Sequence, residues 1–231
     1  MKIACFLYPK FTSIDLIAPI TVWQFVPGAQ FEFIAAARGP VTTDTGLVFN
    51  ATHAYAEASS RPDVVFVPGG AKPTFDALSD QVLLETISRL GEEATWISSV
   101  CTGSLLLGAA GLLDGYRAAC HWYPREWLAK FGAKPASERI VIDRNRATGG
   151  GATSGMDFAL HMAGLWSGDA SGRLIELMIE YAPEPPYRTG RPELADEATL
   201  TTARQFMAME FSEDVVEQAA QRLASRRTGN D

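Results

Sequence analysis

Short apolar runs alternate with amphipathic stretches from the first residue to about Tyr181. This alternation is typical of strands that feed helices in a mostly parallel sheet with helices on both faces, so the pattern predicts an α/β fold. The predicted strands cover residues 3–8, 31–37, 64–67, 96–100 and 117–120. The predicted helices cover residues 16–25, 81–90, 103–110, 124–131 and 154–166. Two β-ribbons are predicted over residues 38–50 and 138–148, the second with Asn145 at its tip.

The chain changes character after this alternating region. Residues 182–192, the proline-rich segment, contain four prolines and predict an extended path along the surface. Residues 195–226 have a helical composition and predict one helix, which is too short to form a second domain unaided. We therefore expect one α/β domain over residues 1–187 and a helical extension over residues 188–231, packed on that domain or on a second subunit.

Composition restricts the partners and the location. The chain has 231 residues, of which 47% are hydrophobic and 20% are charged, enough to bury the core of one large domain. A formal net charge of −7 argues against binding to nucleic acid or to an acidic membrane, since both require a concentrated basic surface. No stretch approaches the roughly 18 apolar residues of a membrane-spanning helix, and the first residues lack the features of a signal peptide. Three cysteines are an odd number that suits a reducing compartment, so we expect a cytoplasmic protein.

Cys101 lies where a short buried strand, residues 96–100, is predicted to turn into a helix, residues 103–110. The free N–H groups and the dipole of a helix N-terminus stabilise an anion, and they lower a thiol pKa from about 8.5 to roughly 3.5–7.5. Cys101 is therefore the candidate nucleophile. On the local sequence alone, a buried structural cysteine is an equally good interpretation.

Two glycines at the end of a neighbouring strand are candidates for substrate binding. Gly69 and Gly70 follow the strand at residues 64–67, at the carboxyl edge of the sheet where ligands of open α/β folds bind. Together with the N–H of Thr102, their N–H groups are expected to stabilise negative charge on a cysteine-bound intermediate. The alternative is an ordinary strand-to-loop turn, which is the commoner meaning of an isolated Pro-Gly-Gly.

Two ionisable side chains are candidates for proton transfer. Asp15 lies three residues after Thr12, which matches a helix capping box, and the apolar residues that follow it predict partial burial and a raised pKa. His121 closes a predicted strand and is a candidate base or hydrogen-bond partner of Cys101. A buried histidine satisfied by its neighbours fits His121 equally well.

Neither a metal nor a phosphate-containing cofactor is expected. No second Cys or His falls at metal-ligand spacing from Cys120 and His121. The glycine run at residues 149–151 lacks the lysine of a P-loop and the spacing of a dinucleotide motif, so close backbone packing explains it better.

The order of these motifs resembles the ThiJ/PfpI superfamily over nearly all of the chain up to about Tyr187. The motifs are Asp15 in an Ile-Asp-Leu-x-x-Pro setting, Pro68-Gly69-Gly70, Ser99-Val-Cys101-Thr-Gly103, Ala119-x-His121-Trp122 and Thr148-Gly-Gly-Gly151. Within the superfamily the chain is most similar to the isocyanide hydratases, through motifs that include Gly-x-Asp-Phe-Ala-Leu160 and Glu180-Tyr-Ala-Pro-x-Pro-Pro186. The resemblance implies a flavodoxin-like fold with the cysteine at a nucleophile elbow.

Differences from other members of the superfamily narrow the function. The peptidase-like relatives carry a histidine directly after the cysteine, where this chain has Thr102, and the parkinsonism-associated relatives carry a glutamate where this chain has Asp15. Regulators of the AraC type add a DNA-binding domain, which the C-terminal extension is too short to hold. Cys120 takes a place where relatives often have threonine.

The resemblance implies an enzyme without cofactor or metal that hydrates a small-molecule isocyanide to the N-substituted formamide through a thioimidate on the cysteine. It also implies a homodimer. The implied catalytic residues are Cys101 as nucleophile, Asp15 as general acid and base, and Thr102, while the implied binding residues are Gly69, Gly70 and His121. Two alternatives are a non-enzymatic redox or small-molecule sensor built on Cys101, and a glyoxalase or deglycase-type enzyme.

Overall fold

The computed structural model describes residues 1–228. The strands are β1 (Lys2–Phe6), β2 (Gln30–Ala35), β3 (Gly39–Thr42), β4 (Val48–Ala51), β5 (His53–Ala54), β6 (Val64–Val67), β7 (Trp96–Ser99), β8 (Arg117–Ala118), β9 (Lys134–Pro135), β10 (Ile140–Asp143) and β11 (Arg146–Gly149). The helices are α1 (Ser13–Trp23), α2 (Lys72–Ala77), α3 (Gln81–Glu93), α4 (Gly103–Ala109), α5 (Ser154–Ser167), α6 (Asp169–Met178), α7 (Glu197–Glu210) and α8 (Glu213–Thr228). Short 3-10 helices form at Tyr55–Glu57, Arg125–Phe131 and Pro192–Leu194.

One sheet of seven strands runs through the centre of the molecule, in the order β10-β11-β7-β6-β1-β2-β5. Neighbouring strands are parallel except β10 and β11, which form an antiparallel hairpin at one edge. Every residue of β6 is buried, as is all of β1 after its first residue, because a parallel sheet is covered on both faces. The predicted α/β fold and the two predicted β-ribbons are confirmed.

The helices pack on this sheet in two groups. In the first group, α1 packs along α5, and the indole N–H of Trp23 donates to the carbonyl of Ala159 at 3.1 Å. In the second group, α2, α3 and α8 surround α4, all seven residues of which are buried. A side chain at Gly103 would lie 2.2 Å from the carbonyl oxygen of Val67, so α4 approaches β6 more closely than any residue but glycine permits. This close approach positions the turn that carries Cys101.

The structure corrects the predicted elements in several places. The helix predicted at residues 124–131 forms only as a 3-10 helix over Arg125–Phe131. Residues 117–120 do not join the main sheet, because β8 pairs with β9 in a separate sheet of two strands. Helices α2 and α6 were not predicted. The predicted single helix of the C-terminal region is wrong, because the chain is extended at Phe211, whose buried ring contacts Phe75 and Tyr123 and separates α7 from α8.

The two C-terminal helices differ in their contacts with the rest of the chain. Helix α8 packs against α4, and the guanidinium groups of Arg222 and Arg226 donate to the carbonyls of Leu78 and Ala109 at 3.1 and 3.0 Å. Helix α7 has no buried residue. Within residues 1–228, no helix combines the length and the apolar character needed to cross a membrane.

Candidate active site

Cys101 lies in a strained turn between β7 and α4. Its φ of 56° falls in the left-handed region, which costs a residue with a side chain about 1–3 kcal/mol and is common at functional sites. The N–H of Cys101 donates to the carbonyl of Gly150 at 2.6 Å, and its carbonyl accepts the N–H of His121 at 3.3 Å. These two backbone hydrogen bonds hold the turn in its strained conformation. Cys101 lies between β7 and α4, which confirms the predicted position between a strand and a helix.

Asp15 lies in the first turn of α1 with its carboxyl group beside the Cys101 thiol. Oδ2 accepts the N–H of Gly69 at 2.9 Å, whereas Oδ1 has no hydrogen-bond partner of ordinary geometry among the described residues. The predicted capping box is wrong, because the side chain of Thr12 caps nothing and Asp15 is turned inward. The carboxyl group is therefore fully buried, with Oδ2 held by the backbone and Oδ1 facing no other hydrogen-bond donor among the described residues.

Burial changes the proton affinity of both groups. Loss of solvent raises the pKa of Asp15 to about 7, although the Gly69 N–H and the thiol both favour the ionised form. Burial also raises the pKa of the Cys101 thiol well above its usual value, and the charge of Asp15 raises it further. The lowered thiol pKa predicted from the helix N-terminus is therefore wrong for the resting protein. The two groups titrate as a coupled pair that holds at least one proton at neutral pH.

The structure gives Gly69, Gly70 and Thr102 a role different from the predicted one. The N–H of Gly69 is engaged by Asp15, and the N–H of Gly70 donates to Thr102 Oγ1 at 2.8 Å. Neither glycine N–H is free for a substrate, contrary to the prediction. The Thr102 hydroxyl is fully buried and donates to the carbonyl of Gly70 at 2.7 Å, while its backbone N–H hydrogen-bonds the Cys101 sulfur. The Thr102 N–H is thus the backbone donor that remains at the reactive sulfur.

His121 lies next to the Cys101 turn, joined to it through the backbone. Its Nδ1 accepts the N–H of Tyr123 at 3.3 Å, and its ring stacks on Phe211 with 5.7 Å between centroids. Burial lowers the pKa of His121 to about 4, so the ring is neutral at pH 7. The structure brings His121 to the site, as predicted, but as a neutral packed ring.

Two further buried residues, neither of them in a sequence motif, contribute polar groups near the Cys101 turn. The hydroxyl of Tyr8 lies 2.9 Å from Thr74 Oγ1, and Thr74 Oγ1 lies 2.8 Å from Thr102 Oγ1. Tyr8 follows β1 and Thr74 lies in α2, so only the folded structure brings their hydroxyls to Thr102. The sequence carries no signal for this contact.

Two openings lie near the reactive pair. A cavity of about 240 Å³ is lined by Cys120 and His121 among others. A mostly apolar groove of about 1120 Å³ runs between α1, α5 and the proline-rich segment, and Ile14 lies in its wall. Cys101 is 7% exposed and Asp15 is 0% exposed, and neither lines either opening. The pair is therefore almost closed off from solvent in this conformation.

The side chains that bind metals in proteins do not gather into a larger cluster among the described residues. Across the part of the chain that the structure describes, no group of three or more His, Cys, Asp and Glu side chains is placed to hold a metal ion. Cys5, Cys101 and Cys120 are unpaired thiols, and all three are buried.

Comparison with known proteins identifies the relatives of this chain. Residues 1–164 match the family model of the DJ-1/PfpI family. An isonitrile hydratase from Pseudomonas putida is 38% identical over 228 residues, which cover 98% of this chain and 99% of that protein. The crystal structure of a ThiJ/PfpI family protein from Pseudomonas syringae is 38% identical and superposes with a TM-score of 0.91, covering 95% of this chain and 90% of that one.

More distant relatives share the fold alone. DJ-1 from Schizosaccharomyces pombe is 18% identical and superposes with a TM-score of 0.69, covering 79% of this chain and 100% of that one. The flavodoxin-like fold predicted from the sequence is thus confirmed. The match to the family model and the full-length relative confirm the resemblance to the ThiJ/PfpI superfamily. The chain belongs to the DJ-1/PfpI family.

Proposed function

We propose that this protein hydrates an isocyanide, R–NC, to the N-substituted formamide, R–NH–CHO, through a covalent intermediate on Cys101. The buried pairing of Cys101 with Asp15 is the observation that carries this proposal. The terminal carbon of an isocyanide must accept a nucleophile and then gain a proton, and a thiol beside a carboxyl group delivers both. The isonitrile hydratase that is similar over nearly the whole chain supports the same reaction.

The first half of the reaction forms a thioimidate. Above a pH of about 7 the pair holds one proton, and transfer of that proton from the thiol to Asp15 Oδ1 creates a thiolate beside a carboxylic acid. The thiolate forms a bond to the terminal isocyanide carbon, and the lone pair of this carbon takes the proton from Asp15. The products are a neutral thioimidate, R–N=CH–S–Cys101, and an ionised Asp15.

The second half consumes one water molecule. The Asp15 carboxylate takes a proton from water, the hydroxyl adds to the thioimidate carbon, and the nitrogen receives that proton. Collapse of this adduct passes the hydroxyl proton to Asp15 and breaks the bond between carbon and sulfur. The formamide leaves, and the pair returns to a thiolate and a protonated carboxyl group.

Backbone groups fix the two reacting side chains in this scheme. Gly69 holds Asp15 through Oδ2, which leaves Oδ1 as the oxygen that exchanges protons with substrate and water. The Thr102 N–H stabilises negative charge on the Cys101 sulfur before attack and after release. The neutral ring of His121 packs beside the turn and takes no part in proton transfer.

A direct assay tests this function. Purified protein is incubated with an aryl isocyanide, and formation of the formamide is followed. We expect turnover by the wild type and its loss in Cys101→Ala, with Cys5→Ala, which removes a buried thiol from β1, as the matched control. Absence of turnover by the wild type would overturn the proposal, and turnover by Cys101→Ala would overturn the covalent step.

We propose further that the active form is a homodimer. Helix α7 has no buried residue, and Phe206 and Met209 on it are 60% and 71% exposed. The mostly apolar groove beside α1 is a second uncovered surface on the same chain, and it supports the proposed interface together with the exposed side chains of α7. Helix α7, in the extension that begins at residue 188, then meets the partner subunit. Sedimentation of the wild type and of Met209→Glu should show a dimer that the substitution weakens, and a monomeric wild type would overturn this assembly.

We also assign the protein to the cytoplasm. Its three unpaired thiols, one of them the proposed nucleophile, suit a reducing compartment. Fractionation of cells that express the full chain tests this location.

A further inference from the structure

Three buried hydroxyl groups form a chain behind the reactive pair. The side chains of Tyr8, Thr74 and Thr102 are 2%, 0% and 0% exposed. Their oxygens are linked in series at 2.9 Å between Tyr8 and Thr74 and at 2.8 Å between Thr74 and Thr102. Buried hydroxyls cost free energy unless they are paired, so a series of this kind constrains every residue in it.

The three hydroxyl groups can donate their hydrogen bonds in one consistent order. Thr102 donates its hydroxyl hydrogen to the carbonyl of Gly70 and accepts the N–H of Gly70. Thr74 then donates to Thr102, and Tyr8 donates to Thr74 or to the carbonyl of Pro68, which lies 3.0 Å away. Through Thr102, Thr74 therefore ties α2 to the Gly70 end of the loop, and the single hydroxyl hydrogen of Tyr8 ties the end of β1 either to Thr74 or to Pro68.

These hydroxyls join the loop at residues 68–70 to the Cys101 turn. Each of these two segments holds one of the two reacting groups. Gly69 in the loop holds Asp15, and Thr102 in the turn follows Cys101. A side chain at Gly69 would lie 2.5 Å from the Thr102 nitrogen and 2.8 Å from the Cys101 Cβ, so the loop and the turn are in direct contact. A shift of the loop against the turn would move the Asp15 carboxyl relative to the Cys101 sulfur.

We propose that Thr74 and Tyr8 are positioning residues, whose hydroxyls lock the loop at residues 68–70 to the turn at Thr102 and so set the geometry of the Cys101 and Asp15 pair. This inference rests on the proposed function for its kinetic readout. Its chemical readout, the reactivity of the Cys101 thiol, does not depend on any isocyanide.

Three variants of buried threonines test the proposal. Thr74→Val removes the hydroxyl at nearly constant shape, and Thr74→Ser restores it. Thr86→Val is the matched control, because Thr86 is a buried threonine whose hydroxyl donates to the carbonyl of Val82 inside α3. We expect Thr74→Val to lower kcat about tenfold with KM almost unchanged, Thr74→Ser to recover most of it, and Thr86→Val to match the wild type.

The pH profile of alkylation by iodoacetamide reports on the pair directly. In Thr74→Val the midpoint for Cys101 should rise by about half a pH unit or more, because the Thr102 N–H no longer sits firmly against the sulfur, and Thr74→Ser should restore it. Tyr8→Phe should shift the midpoint in the same direction by less, and it replaces Thr74→Val if that variant does not fold.

The outcomes separate this inference from the proposed function. Wild-type kinetics and a wild-type alkylation profile in a folded Thr74→Val protein would overturn the positioning role. Equal losses in Thr74→Val and Thr74→Ser would also overturn it, because a variant that keeps the hydroxyl would then be no more active than one that lacks it. If the wild type turns over no isocyanide while the alkylation midpoint still shifts in Thr74→Val, the positioning role stands and the proposed reaction fails.

Discussion

Replacing Asp15 by Asn should stabilise the protein in alkaline solution while it abolishes the proposed catalysis. Asn has nearly the same shape as Asp, and its amide oxygen accepts the N–H of Gly69, so the fold around it should be kept. What the substitution removes is a carboxyl group that ionises inside the protein with no full positive charge beside it. The expected gain in stability therefore depends on pH.

The size of this gain follows from the pKa of Asp15. Its pKa rises from 3.8 to about 7 on folding, and about three units at about 1.4 kcal/mol each amount to about 4 kcal/mol. Because the folded protein holds the proton more tightly than the unfolded chain, stability from this group is complete below pH about 4 and is lost as the pH rises to about 7. Between pH 5 and pH 8.5 the wild type should lose about 2.5 kcal/mol that Asp15→Asn keeps.

Denaturant unfolding under reducing conditions measures this difference. The free energy of unfolding is determined for the wild type and for Asp15→Asn at several pH values across the same interval. The difference between the two proteins should grow with pH in favour of the variant. A difference that stays constant over the interval would show that the pKa of Asp15 is not raised in the folded protein.

Two further predictions concern the groups around the pair. The kcat/KM for hydration should fall as the pH drops below about 7, because the Cys101 and Asp15 pair then takes a second proton and no thiolate can form. His121→Gln should show the same fall in kcat/KM at acidic pH, the acidic limb, because burial lowers the pKa of His121 to about 4. Loss of the limb in His121→Gln would contradict the assignment to Asp15. Gly69→Ala should cost about 1–3 kcal/mol and lower turnover at least tenfold, since its Cβ would lie 2.5 Å from the Thr102 nitrogen. Gly190→Ala, with no atom within 4 Å of its Cβ, is the stability control, and equal melting temperatures in the two variants would refute the steric argument.

The parallel sheet and the position of Cys101 were accessible from the sequence because both depend on local patterns. A continuous apolar run such as residues 64–67 predicts a strand buried on both faces, and the structure has β6 over the same residues. The small residues after Cys101 predict a helix that packs tightly, and α4 does so against β6. Local periodicity therefore located the elbow.

The resemblance brought Asp15 together with Cys101, but the hydrogen bonds that hold the site were not accessible, because they join distant parts of the chain. Asp15 and Gly69 are 54 residues apart, and Gly70 and Thr102 are 32 residues apart. The sequence pattern at Asp15 suggested a capping box, yet the carboxyl turns inward, where Gly69 offers it an N–H donor. The thiol pKa was mispredicted for the same reason, since local sequence shows a helix N-terminus but not the extent of burial.

The C-terminal region shows how one buried side chain overrides composition. Residues 195–226 favour helix throughout, but Phe211 is buried among aromatic rings, where it contacts Phe75, His121 and Tyr123. The extended backbone at Phe211 ends α7, and α8 begins two residues later. Helix propensities describe only local preference, so they could not predict the end of the helix at Phe211.

Mass spectrometry of the acid-quenched enzyme during turnover of an aryl isocyanide tests most directly whether Cys101 forms the covalent intermediate. We expect an adduct with the mass of one added isocyanide, located on the peptide that contains Cys101, which decays as formamide is released and is absent in Cys101→Ala. Formamide production at the wild-type rate by Cys101→Ala, with no adduct on the wild type at any time, would contradict this expectation.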